Sequence, residues 1–85
     1  MNDLIYYLSG TEAMATILNQ LNNEEIQLEE LLTKNKPTDQ EKLFIDEFNS
    51  RYDEASFGLG LHPDDDYQQI SEYVLEGLYE LYNIN

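Results

Sequence analysis

The sequence predicts an all-α fold, a compact bundle of about four main helices with short loops, in a single domain spanning residues 1–85. Three observations predict it. Apolar residues recur at three- and four-residue spacing, Ser or Thr twice stands three positions before Glu, and Pro and Gly punctuate the gaps between these runs. Leu, Ile, Val and Phe make up 23 of 85 residues. That exceeds the roughly 20% below which a charged chain tends to stay disordered.

Taken in order, "DLIYYL" (residues 3–8) reads as a short helix. The alternative is a strand paired with "SFGLGL", but an isolated two-stranded hairpin is marginal. "SGTE" then offers Ser9 as N-cap and Glu12 as its reciprocal partner, a capping box. Met14, Ile17, Leu18 and Leu21 follow with the spacing of a buried face. Asn22 with Glu25 resembles a second start, ahead of Leu28, Leu31 and Leu32. "NKPTDQEK" is the strongest signal: Pro37 ends one helix, Thr38 caps the next and Glu41 completes the box. Phe44, Phe48, Tyr52 and Ala55 stack on one face of that third helix.

"FGLGLHP" ends the third helix, with Gly58 and Gly60 free to take positive φ. The last helix is expected to start near His62, with Pro63 in its first position. Asp64, Asp65 and Asp66 would then meet the positive end of its dipole. On a wheel centred at Ile70, the expected core face holds Tyr67, Ile70, Tyr73, Val74, Gly77, Leu78 and Leu81. Gly77 would admit another helix closely, because a helical glycine otherwise costs about 1 kcal/mol.

The charge is extreme and uneven. Eighteen acids face four bases, for a formal net charge of −14. Residues 1–33 carry −6, residues 34–51 are neutral, and residues 52–85 carry −8 without a single Lys or Arg. Asn and Tyr are plentiful while Lys is scarce, a pattern that suggests selection against Lys. Such a balance disfavours nucleic acid and anionic membranes as partners and favours a basic protein surface. No apolar run approaches the ~20 residues of a membrane span, and no leader is evident, so the cytoplasm is the expected compartment (that of a host cell if a phage encodes the chain). With no cysteine, disulfides and thiolate metal sites are excluded.

Enzyme chemistry finds little support. "HPDDDY" gathers one His and three Asp, but consecutive Asp residues on a helix point apart. No window matches the EF-hand loop. His62 has neither a nucleophile nor an orienting partner nearby in sequence and reads as a loop or capping residue. No catalytic residue, metal or cofactor is expected.

The acids themselves are the candidate site. Glu72, Glu76 and Glu80 stand four apart and, with Asp65, share one arc of the last helix, with Tyr79 an exposed aromatic beside them. Asp39, Asp46 and Asp53, seven apart, form a second stripe opposite Phe44 and Phe48. Most acidic stripes are solvated faces with Lys or Arg interleaved. Lys42 and Arg51 do this on the third helix, at pair spacing with Asp46 and Glu47. The fourth helix has no such relief, although like charges four apart destabilise it by about 0.2–0.5 kcal/mol per pair.

In size, charge and composition along its whole length, the chain resembles the small acidic DNA-mimic inhibitors of phages and mobile elements, the antirestriction and anti-CRISPR proteins. No sequence motif carries the resemblance, so no family residues transfer. It implies a stoichiometric inhibitor occupying the nucleic-acid channel of a host defence nuclease, a Cas nuclease first and a restriction nuclease next. The partner would supply the missing counter-charges. The rival reading is a small acidic regulatory binder: an antitoxin, an inhibitor of a transcription factor or polymerase, or an immunity protein. A third is a structural subunit held by apolar contacts. The composition is compatible with a homodimer as well as a monomer.

Overall fold

Four helices form: α1 (Asn2–Asn22), α2 (Leu28–Leu32), α3 (Asp39–Leu59) and α4 (Tyr67–Leu81), with no strand among the described residues. The computed structural model describes residues 2–84, and side chains from residue 11 to residue 84. Helix α3 is central and packs against α1, α2 and α4. The all-α expectation holds, including a helical backbone at residues 3–8; the side chains of Tyr6 and Tyr7 lie outside the described set.

The starts of the helices are less faithful to the local signals. Thr38 caps α3 as expected, its hydroxyl accepting from the Glu41 N–H at 3.1 Å while the Glu41 carboxylate accepts from the Thr38 N–H at 2.8 Å. Ser9, with the same pattern, starts nothing, because α1 runs through it without a break. No proline precedes Ser9, and extending an existing helix adds a hydrogen bond for each residue fixed. Asn22 ends α1 rather than starting α2, which begins only at Leu28.

The ends of α1, α3 and α4 share one device. At each, a residue in the left-handed region turns the chain, and the following N–H bonds back to a carbonyl five residues earlier, as in a Schellman motif. Glu24 (φ 60°), Gly60 (φ 67°) and Asn83 (φ 58°) take this role. The closing bonds are Glu25 N–H to Gln20 at 2.9 Å, Leu61 N–H to Ser56 at 3.1 Å and Ile84 N–H to Tyr79 at 2.8 Å. Gly60 therefore uses its freedom, whereas Gly58 stays inside α3.

Helix α4 begins at Tyr67, later than expected from Pro63. The intervening turn holds itself together. The His62 ring accepts at Nδ1 from the Asp64 and Asp65 N–H groups, at 3.2 and 3.3 Å. The Asp66 carboxylate reaches back to the His62 N–H at 2.8 Å. Asp66 thus stands at the N-cap without capping α4, and no acid occupies its first turn. His62 is thus a loop residue whose ring closes this turn, and it caps no helix. Asp64, Asp65 and Asp66 belong to this turn and not to a helix dipole.

The core combines Met14, Ile17 and Leu18 of α1, Leu31 of α2, Phe44 and Phe48 of α3, and Ile70, Val74 and Leu78 of α4. An aromatic file, Phe44–Phe48–Tyr52–Tyr67, runs from α3 onto α4 with centroids 6.0, 6.0 and 5.8 Å apart. The Tyr52 hydroxyl donates to the Pro63 carbonyl and so ties α3 to the turn before α4. One hydroxyl breaks the pattern: Ser71 Oγ is buried without a hydrogen-bond partner. Replacing it with alanine removes that orphan and improves helix propensity, so Ser71→Ala is expected to raise stability by about 1 kcal/mol. Urea unfolding measures it, and a loss of stability would mean the hydroxyl is in fact bonded.

Candidate acidic interface

The buried arc of α4 decides what that helix can offer a partner. Ile70, Ser71, Val74 and Leu78 are buried, and Leu75 and Tyr79 pack at the edge of the core. The arc is therefore rotated toward Leu75 and Tyr79 relative to the expected face. Tyr73, at 56% exposure, and Leu81, at 57%, fall outside it, as does Gly77. A Cβ built on Gly77 meets nothing within 4 Å, so this glycine admits no helix of its own chain. The cause is apolar cover beside α4: Leu21, Ile26 and Leu28 line one groove together with Leu75 and Tyr79.

Tyr79 is accordingly not the exposed aromatic expected among the acids. It is half-buried against the core, and burial pushes its phenol pKa up. Tyr73 stands exposed on the acidic side instead. Phe57 is almost wholly exposed, at 91%, on the side of α3 that carries the aspartates.

Glu72, Glu76 and Glu80 are all exposed, as predicted, but they do not serve one surface. Glu72 lines the groove beside Glu24 and Glu29. Glu76 and Glu80 line a second groove, between α3 and α4, opposite Glu54. Asp39, Asp46 and Asp53 are exposed on α3 and line neither groove. Asp65 is exposed in the turn before α4 and is not on the helix arc with the glutamates. The expected pair of parallel rows is thus a broader acidic surface whose rows face different ways. Glu54 was missed. Its wheel position beside Arg51 was readable, but not that this shoulder of α3 meets α4.

Counter-charge is scarce. Among the described residues, Lys34 pairs with Glu41 and Arg51 with Glu47, each at 2.8 Å. The His62 ring lies 3.7 Å from Asp65 and pairs with it only when protonated. The Lys42–Asp46 pair suggested by spacing is not among them. None of Glu72, Glu76, Glu80, Asp39, Asp46 or Asp53 takes part. Unrelieved self-repulsion of this kind is screened by salt, so the melting temperature is expected to rise between low and physiological ionic strength. A flat or falling scan series would show that the acids are already compensated.

Glu41 stands apart. The Lys34 ammonium, followed by the Thr38 N–H, holds its carboxyl below the usual value. Because the folded pKa is depressed, this contribution to stability is present above about 4.5, the ordinary Glu value, and fades as pH falls through the lower folded one. An NMR titration should find the Glu41 midpoint below the ordinary Glu value, and Lys34→Ala should raise it. A midpoint unmoved by Lys34→Ala would dissociate it from that ammonium.

Fold and surface together define a small acidic helical bundle with solvated carboxylate rows. Among the described residues no group of three or more His, Asp or Glu is placed to hold a metal ion, and no helix is long and apolar enough to cross a membrane. Comparison with protein-family models, with curated proteins and with solved structures finds no match.

Proposed function

We propose that the protein is a stoichiometric inhibitor that takes the place of nucleic acid on the basic surface of another protein, a host defence nuclease of the Cas type first. One observation carries the reading. The carboxylates of Glu72, Glu76, Glu80, Asp39, Asp46 and Asp53 are exposed, and none of them takes part in an ion pair among the described residues. Carboxylates four apart on a helix repeat every ~6 Å. Duplex DNA carries a charge every ~1.7 Å of axis, answered by Lys and Arg grooves in its binding proteins. Each row is sparser than duplex DNA, so what supports the reading is the unrelieved negative sign of the surface, which such grooves attract.

A second reading, a subunit or binder with an interface dominated by apolar contacts and acidity only part of its surface, is favoured by the exposed Phe57, Tyr73 and Leu81. Salt separates the two. A charge mimic should lose affinity steeply as salt rises, whereas an apolar interface should hold. The test titrates the protein against labelled duplex DNA bound to purified Cas and restriction nucleases, at two ionic strengths. Displacement that weakens with salt supports the mimic. Absence of displacement across the panel at low salt removes it.

A further inference from the structure

We infer that the groove between α3 and α4 seats a basic amphipathic helix of a partner protein. The groove has a volume of about 600 Å³, and two exposed glycines, Gly58 and Gly77, line it. Both are helical, neither has positive φ, and a Cβ built on either meets nothing within 4 Å. The fold requires neither. A helical glycine is destabilising relative to alanine, yet the chain places two across one groove. What they provide is room for close approach from outside.

The walls and rim specify what approaches. Tyr73 and Leu59 are partly exposed apolar walls, and Glu54, Glu76 and Glu80 supply the charge. The groove's one cation, Arg51, is held by Glu47 at 2.8 Å. A second copy of this chain is a poor occupant, since it would bring like carboxylates together between molecules of net charge −14. Nucleic acid is excluded by the same sign. A protein helix fits: small or apolar side chains drop onto the glycines while flanking Lys or Arg reach the glutamates. This goes beyond charge mimicry, because it demands shape as well as sign.

The test uses the full chain, ¹⁵N-labelled, and two fluorescent peptides about five turns long. One has Leu and Ala on one helical face and Arg and Lys on the other. Its scrambled isomer has the same composition and no such faces. The amphipathic peptide should bind at least about tenfold tighter than its isomer, with amide shifts centred on Gly58, Tyr73 and Gly77. Gly77→Leu fills the groove and should lower that affinity at least about tenfold, while Gly77→Ala should raise the melting temperature. Equal binding of the two peptides, or shifts centred on Asp39, Asp46 and Asp53, overturns the proposal. So does a folded Gly77→Leu protein that binds as before. The shift map needs no variant, so a Gly77→Leu chain that fails to fold leaves the test intact. No nuclease or DNA enters this experiment, so its failure is distinct from failure of the charge-mimic reading.

Discussion

Reversing Glu72, Glu76 and Glu80 to Lys is expected to abolish displacement of duplex DNA from the partner nuclease. Each reversal adds two charges, so three take the formal net charge from −14 to −8. The fold should survive. All three side chains are exposed, and Glu and Lys have similar helix propensity. The new lysines would also face Glu24, Glu29 and Glu54 across the two grooves, turning repulsion into attraction. Lys42→Glu, in the neutral middle of the chain, should change affinity little. Tyr73→Ala is the appropriate aromatic test and should cost about 1–2 kcal/mol of binding if the ring is an anchor. Tyr79→Ala is not, because that ring packs against the core. Competition assays beside circular dichroism of each variant decide the matter. Unchanged affinity with intact helicity after the triple reversal would reduce the stripe to a solvated face and leave the regulatory binder.

Phe44→Ala is the second large effect, on stability. Phe44 is wholly buried at the start of the aromatic file. Its truncation should cost about 3–5 kcal/mol. Small domains commonly have about 5–15 kcal/mol in total, and self-repulsion erodes that here, so the variant should be largely unfolded at low salt. Phe57→Ala is the internal control. The same residue type on the same helix, 91% exposed, should shift stability by no more than about 0.5 kcal/mol. Urea unfolding at matched salt gives both values. Similar losses from the two would mean that Phe44 is not at the centre of the packing.

These two phenylalanines show how far the sequence could be read. Phe44 and Phe48 were legible as core from their spacing, and Thr38 with Glu41 as a helix start. Both signals are local, settled within one turn of backbone. Phe57 follows Phe48 in the chain but lies on the aspartate side of α3, where its spacing from Asp53 places it. The acids were legible as exposed, since an unpaired charge is rarely buried. Which acids would share a surface was not. That depends on which shoulder of α3 meets α4, and wheel angles within one helix carry no information about its neighbour.

By itself, the sequence determined an all-α chain, the α3 cap, the apolar set from which the core is drawn and a surface with almost no counter-charge. Only the tertiary structure decided which arc of α4 is covered. The apolar residues of that helix span more of its circumference than one neighbour can bury. With Leu21, Ile26 and Leu28 beside α4 in one groove, Leu75 and Tyr79 went in. Tyr73, Gly77 and Leu81 stayed out, and with them the groove that Glu54, Glu76 and Glu80 line.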